Sequence, residues 1–287
     1  MNFFKDFKLG ILSYLNAIRF IHVHKLYWYL PIPALLMLII YGLGAKVSNW
    51  QSSWIPGKGC MTCINMNETV WFLLQILLSI SIGLLLMKFA KYIVVIMLSP
   101  LFSILSQVVE KKITGKYYPF DMNQTFEDVK RGIKIALRNL MWEYFFFLII
   151  LILSFILFDD PTNSFLFYMI YFIGFFYYGF SFLDYINERL RLDIPQSIHF
   201  MRQHRGLATA IGSVYSLLIF VPVDLGVLFR FEGFLDAPYA VLGSFLRQLF
   251  LWLLASASPI LAIVAATLAM DDLVDLKTNQ FSKSKKE

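Results

Sequence analysis

The residues best placed to do chemistry in this sequence are cations gathered beside polar side chains. One group is His22-Val-His24-Lys25. A denser one runs Phe182-Leu-Asp184-Tyr185, then Ser197, then Arg202-Gln-His204-Arg205-Gly206. Lysine or arginine at a helix end draws an inorganic anion, and free backbone N–H groups there can replace its water. His24 with Lys25 is the first candidate anion site, and Arg202 with Arg205 is the second. The second cluster also has a purely structural use. Asp184 among several cations can close an internal salt-bridge network, with Tyr185 and His204 as further members of it or of a polar pathway. Asp224 is a pathway candidate of another kind, an acid inside an apolar segment just after Pro222, where an ionisable group is costly. Glu143 stands two residues into its segment and reads as a headgroup-level carboxylate.

Other chemistry is not indicated. There is no phosphate-binding loop, dinucleotide fingerprint, zinc-protease motif or nucleophile elbow, so no enzyme and no cofactor are expected. His22 and His24 sit two apart and face different sides of a helix, which disfavours a metal site. Cys60 and Cys63 form a lone Cys-Met-Thr-Cys with no further ligands nearby. A local disulfide or inert thiols fit that better than zinc or redox catalysis.

The elements that carry these residues are apolar to an unusual degree. Hydrophobic residues make up 59% of the 287, charged ones 15%, and mean hydropathy is +0.66. A soluble domain carries about 25% charged residues, and one of this size could not hide so much apolar side chain. The net charge of +6 fits cytoplasmic loops and anionic lipid, and no nucleic-acid motif accompanies it.

Periodicity predicts an all-α integral membrane protein, one membrane domain over 1–287, with about six hydrophobic segments and two amphipathic interfacial helices. The first interfacial helix is 1–25, its apolar stripe Phe4, Phe7, Ile11, Leu15, Ile18, Ile21. Membrane segments fill 26–270. They begin with Leu26–Ala45, then Val70–Met87, whose helix continues out of the bilayer past a bend at Ser99-Pro100. Cytoplasmic loop 110–140 holds the second surface helix. It starts near Thr125, carries the stripe Phe126, Val129, Ile133, Leu137, Leu140, and offers Lys130, Arg131, Lys134 and Arg138 to lipid phosphates. Segments Met141–Phe158 and Phe165–Leu183 form a hairpin around Asp159-Asp160-Pro161. Loop 184–205 follows, then Gly206–Phe229, Gln248–Met270 and a cytoplasmic tail, 271–287. Six crossings place 19 of the 25 lysines and arginines on one side and 4 on the other, with Lys88 and Lys91 between. The positive-inside rule then puts both termini in the cytoplasm.

Several stretches occur in the order of a known family. They are Ser99-Pro-Leu-Phe-Ser103 through Val109-Glu-Lys-Lys-Ile-Thr-Gly115; Phe182-Leu-Asp-Tyr185; Ser197 with Arg202-Gln-His-Arg-Gly-Leu-Ala208; and Pro259-Ile-Leu-Ala-Ile-Val-Ala-Ala-Thr267. On these the chain resembles the CysZ-type sulfate permeases, grouped with the etoposide-induced protein 2.4 membrane family. The resemblance implies a multi-pass bacterial inner-membrane protein, a homo-oligomer, that delivers sulfate to cysteine biosynthesis. It also implies helical hairpins that enter the bilayer only partway. The family's Gly-Leu-Arg stretch before the first span is associated with sulfate binding. Here that place reads Val23-His24-Lys25, which keeps a positive charge but not a guanidinium fork. The stretch from Pro222 to Pro259 is longer than the family pattern and carries Arg230, Glu232, Asp236 and Arg247, for which the sequence suggests no role. The competing reading is a non-transporting membrane scaffold or membrane-organising protein, with lipids as its partners.

Overall fold

A computed structural model describes residues 3–54, 92–115, 122–158, 164–219, 221–229, 238–274 and 276–277. Among them every regular element is helical. Four helices are long and apolar enough to cross a membrane, with candidate spans at Leu26–Leu43, Phe126–Ser154, Phe165–Arg189 and Pro238–Val274. The expected second segment, Val70–Met87, lies outside the described residues, as do Cys60, Cys63 and the 159–163 loop.

Helix α1 covers Phe3–Val23 and ends in a short 3-10 turn, Leu26–Tyr29. Its apolar stripe faces outward, with Phe4, Leu15 and Ile18 exposed. The buried face is small and polar: Asp6, Gly10, Ser13, Tyr14 and Ala17. Helix α2, Pro31–Trp54, begins where Pro31 and Pro33 cost least, in its first turn.

Residues 92–97 are helical and turn at Leu98 into α3, Ser99–Thr114, so the bend expected at Ser99-Pro100 is present. Gly115 ends α3 in a left-handed conformation (φ 75°), with its N–H donating to the Lys111 carbonyl. The second surface helix and the third segment are one element, α4, Met122–Leu157. Neither a start at Thr125 nor a break near Leu140 is seen, because no residue between them interrupts the backbone ladder. Of the apolar stripe expected on the membrane surface, Phe126 and Leu137 are exposed, Val129 and Ile133 half-buried and Leu140 buried. The buried line is instead Asp128, Ile135, Ala136, Asn139 and Glu143, which are spaced by roughly one helical turn.

Helix α5, Phe165–Arg189, is capped by Ser164, whose hydroxyl accepts from Phe167 N–H. Helix α6, Ile194–Gln203, has a full capping box between Asp193 and Gln196. Helix α7 covers Arg205–Ile219 and α8 covers Pro238–Val274, with Pro259 inside it. The expected fifth segment, Gly206–Phe229, is therefore not one helix. Pro222 has no N–H and pushes Val221 out of helical geometry, so the chain leaves α7 after 15 residues, short of a full crossing.

The core forms where α5 meets α7. A Cβ on Gly179 would lie 1.8 Å from the Ala208 carbonyl oxygen, and one on Gly212 would lie 1.8 Å from that of Phe175. Only glycine permits so close a backbone approach. Around this crossing Phe180, Phe182, Leu183, Ile186 and Tyr215 are fully buried, with α1, α3 and α8 packed outside.

Candidate functional site

The polar groups gather where α3, α4, α5 and α6 converge. Asp184, near the end of α5, is buried and accepts two hydrogen bonds from Arg131 of α4: Nε to Oδ2 and Nη2 to Oδ1, both 3.0 Å. Arg131 Nη1 also donates to the Leu192 carbonyl at 2.7 Å, and Ser197 Oγ donates to Asp184 Oδ1 at 2.5 Å. The bidentate fork is the strong geometry for an arginine–carboxylate pair. Arg131 is thus an internal partner rather than a contact for lipid phosphates. Ser197 in turn accepts from Asn187 Nδ2 at 2.9 Å.

A second pair runs alongside. Arg189 Nε donates to Glu110 Oε2 at 2.5 Å, and its Nη1 donates to Ser106 Oγ at 2.5 Å. Ser103 donates to Asp128. Ser99, Ser103, Ser106 and Glu110 recur at one face of α3 and are all buried, so α3 presents a hydroxyl seam to the charges of α4 and α5. Tyr185 belongs to this region, its hydroxyl lying against Gly132, where a Cβ would stand 2.7 Å from it.

His204 is elsewhere, at the joint between α6 and α7. Its Nδ1 lies 3.0 Å from Asp6 Oδ2, and both are buried. Burial pushes the imidazole below its ordinary range, against the pull of the Asp6 carboxylate. Further along, Tyr14 Oη donates to the Ile211 carbonyl at 2.7 Å, and Gly10 packs against Leu207 and Ala210. The contacts advance together along both helices, so α1 and α7 run side by side in one direction.

Of the candidate anion residues, Lys25, Arg202 and Arg205 are exposed and His24 is half-buried. Lys25 adopts a left-handed conformation (φ 56°), rare for a residue with a Cβ, and connects α1 to the 3-10 turn. It has no side-chain partner among the described residues, while His24 stacks on Phe20 with centroids 4.3 Å apart. Arg202 and Arg205 are exposed, and Arg205 Nε donates to the Arg202 carbonyl at 3.0 Å. These two sites are not together. From Asp6, beside His204, to Lys25 is 19 residues of near-continuous helix, or about 28 Å at 1.5 Å per residue. Pro31 and Pro33 leave few N–H donors at the start of α2, so an anion there would depend on the Lys25 charge.

Asp224 is also exposed. It caps the 3-10 turn Leu225–Leu228, accepting from Gly226 N–H at 2.9 Å. Glu143, expected at headgroup level, is instead buried in protein. Tyr92 Oη donates to its Oε2 at 2.8 Å, and Gly174 makes room for its Oε1. Sequence reading missed Arg131, Glu110, Arg189 and Asp6 as partners. The turn-by-turn polar line Asp128, Arg131, Asn139, Glu143 was the available signal for one of them.

This arrangement defines an all-helical membrane protein whose buried cations are tied to carboxylates at one end of the helices. Residues 13–229 match the sequence profile of the family described as sulfate transporter CysZ/etoposide-induced protein 2.4, and the chain belongs to that family. No curated protein matches it.

Proposed function

We propose that this protein is a membrane anion permease or channel, with sulfate the first substrate to test. Family membership supports transport of this kind. The observation that carries the reading is Lys25, an exposed cation in a left-handed turn at the mouth of the first candidate span, with no partner among the described residues. The core cations Arg131 and Arg189 are already neutralised by Asp184 and Glu110. Lys25, with His24, gathers the anion at one end of α1, and Arg202 with Arg205 forms a separate, second station at the other. Tyr185, Asp184 and His204 hold the scaffold between helices. The polar groups at Asp224 flank the route where α7 ends.

We place both termini in the cytoplasm of a bacterial inner membrane, the side that the positive charge favours, and take the chain to assemble as a homo-oligomer. The test is sulfate flux into liposomes carrying the purified protein, compared with empty liposomes. Lys25→Ala should reduce flux at least about tenfold, as expected when a charged ligand contact is lost, and Lys25→Arg should retain it. Absence of flux and of sulfate binding would overturn the reading. The outward apolar stripe of α1 favours a second one, a membrane-organising protein that grips lipid without transport. Lipid remodelling by protein that moves no anion would establish it.

A further inference from the structure

A polar corner forms where the chain leaves α7 and meets the first half of α8. It is a cavity of about 450 Å3 lined by Pro222, Val223, Asp224, Arg247, Gln248 and Leu251. Arg247 is the informative residue. It lies within a candidate span, yet it is exposed and has no ion pair or hydrogen bond among the described residues. After it, Gln248–Met270 contains no Asp, Glu, Lys or Arg. Those residues rise about 35 Å as helix, close to the roughly 30 Å hydrocarbon thickness, and Asp271 closes the other end. Arg247 therefore falls at headgroup depth rather than mid-bilayer. The exposed apolar side chains around it, Tyr239, Leu246 and Phe250 among them, suit contact with lipid tails and their border.

The corner offers both signs of charge. Asp224 N–H donates to Gln248 Oε1 at 3.0 Å, which leaves the Gln248 Nε2 as a donor in the cavity that Arg247 also lines. Asp224 spends one carboxylate oxygen on Gly226 N–H and is otherwise exposed. Asp224 and Arg247 line one cavity without pairing within 4 Å. A simple dianion would meet the guanidinium but also the carboxylate. A group that carries a phosphate and an ammonium a few bonds apart satisfies both.

We propose that this corner binds the headgroup of an amine-bearing phospholipid, the phosphodiester on Arg247 and Gln248 and the ammonium on Asp224. The test uses the full chain, delipidated in detergent and titrated by native mass spectrometry with phosphatidylethanolamine, phosphatidylglycerol and phosphatidylcholine, and separately with inorganic sulfate. Phosphatidylethanolamine should bind several-fold tighter than the other two. Arg247→Gln should weaken all three by about five- to tenfold, the effect of one exposed charge-assisted contact. Asp224→Asn should erase the ethanolamine preference and improve phosphatidylglycerol. Equal binding of the three headgroups by the wild-type chain overturns the proposal. So does displacement of lipid by sulfate, or a headgroup ranking that Asp224→Asn leaves unchanged. If a variant fails to fold, the wild-type ranking alone decides.

Discussion

Replacing Arg131 by methionine removes the cation but keeps much of the side-chain volume. Asp184 would then keep the hydrogen bond from Ser197 while remaining almost fully buried, its side chain 4% exposed against 15% for Arg131. A unit ion pair about 4 Å apart at an effective dielectric of about 20 is worth about 4 kcal/mol. Breaking a buried pair from one side costs about 3–5 kcal/mol, because the remaining charge has lost its compensation. The partial exposure of Arg131 puts the expectation near 3 kcal/mol. Asp184→Leu alone should cost a similar amount, since Arg131 would keep only the Leu192 carbonyl. The double variant should lie within about 1–2 kcal/mol of wild type, as apolar replacement of both partners removes the desolvation penalty along with the attraction. Equilibrium unfolding in mixed detergent micelles measures all four corners of this cycle. Single variants that cost under about 1 kcal/mol, or a double variant that equals the sum of the singles, would refute the view that this pair is a buried, mutually dependent unit.

Other outcomes follow from the same geometry. Gly212→Val should destabilise by at least about 1–3 kcal/mol, because a Cβ at 1.8 Å from the Phe175 oxygen forces the α5–α7 crossing apart. Gly243→Ala, with nothing within 4 Å of the new methyl, should gain about 0.5–1 kcal/mol of helix propensity, read as a higher melting temperature. The imidazole of His204 sits below its ordinary pKa in the folded chain. Its contribution to stability is therefore complete above the unfolded value near 6.5 and lost as pH falls towards the folded one, at no more than about 1.4 kcal/mol per pH unit. Melting curves from pH 8 to 5 should show this slope, and His204→Gln should flatten it. Glu143→Gln keeps an oxygen for the Tyr92 hydroxyl and should unfold close to wild type. Glu143→Ala strands that hydroxyl and should cost about 1–3 kcal/mol in the same unfolding assay.

Helical class, four of the six apolar segments, the bend before Pro100 and the family were legible in the sequence, because each rests on local signals: long apolar runs, a proline, short motifs in order. Which face of a helix turns inward was not. Lipid accepts apolar side chains as readily as a protein core does, so the greasiest stripes of α1 and α4 point outward while the polar, small and charged residues meet one another inside. Hydrophobic periodicity finds the outward, lipid-suited stripe of α1, but it does not find the polar line that packs inside. The same inversion explains why Asp128 and Glu143 are buried, and why Asp6 supports His204 from 198 residues away. Nothing local at Asp6 could announce a partner so distant in the chain.

The sorting of charges bears directly on how transport must be tested. Arg131 and Arg189 are fixed by carboxylates and by backbone or hydroxyl oxygens, so neutralising either one disturbs the helix packing before it touches any ion path. Loss of flux in such a variant says nothing about anion contact. Lys25 and Arg202 are different. Both are exposed, so their neutralisation leaves the core intact and any loss of flux reports on the anion itself. Because they stand at opposite ends of the α1–α7 pair, two stations on one route predict separable defects. Lys25→Ala and Arg202→Ala should each raise the sulfate concentration for half-maximal flux, and the double variant should multiply the two effects. Liposome flux at graded sulfate, measured for both single variants and the double one, reads this directly. A double variant no weaker than the worse single one would mean that the two cations do not act as separate stations.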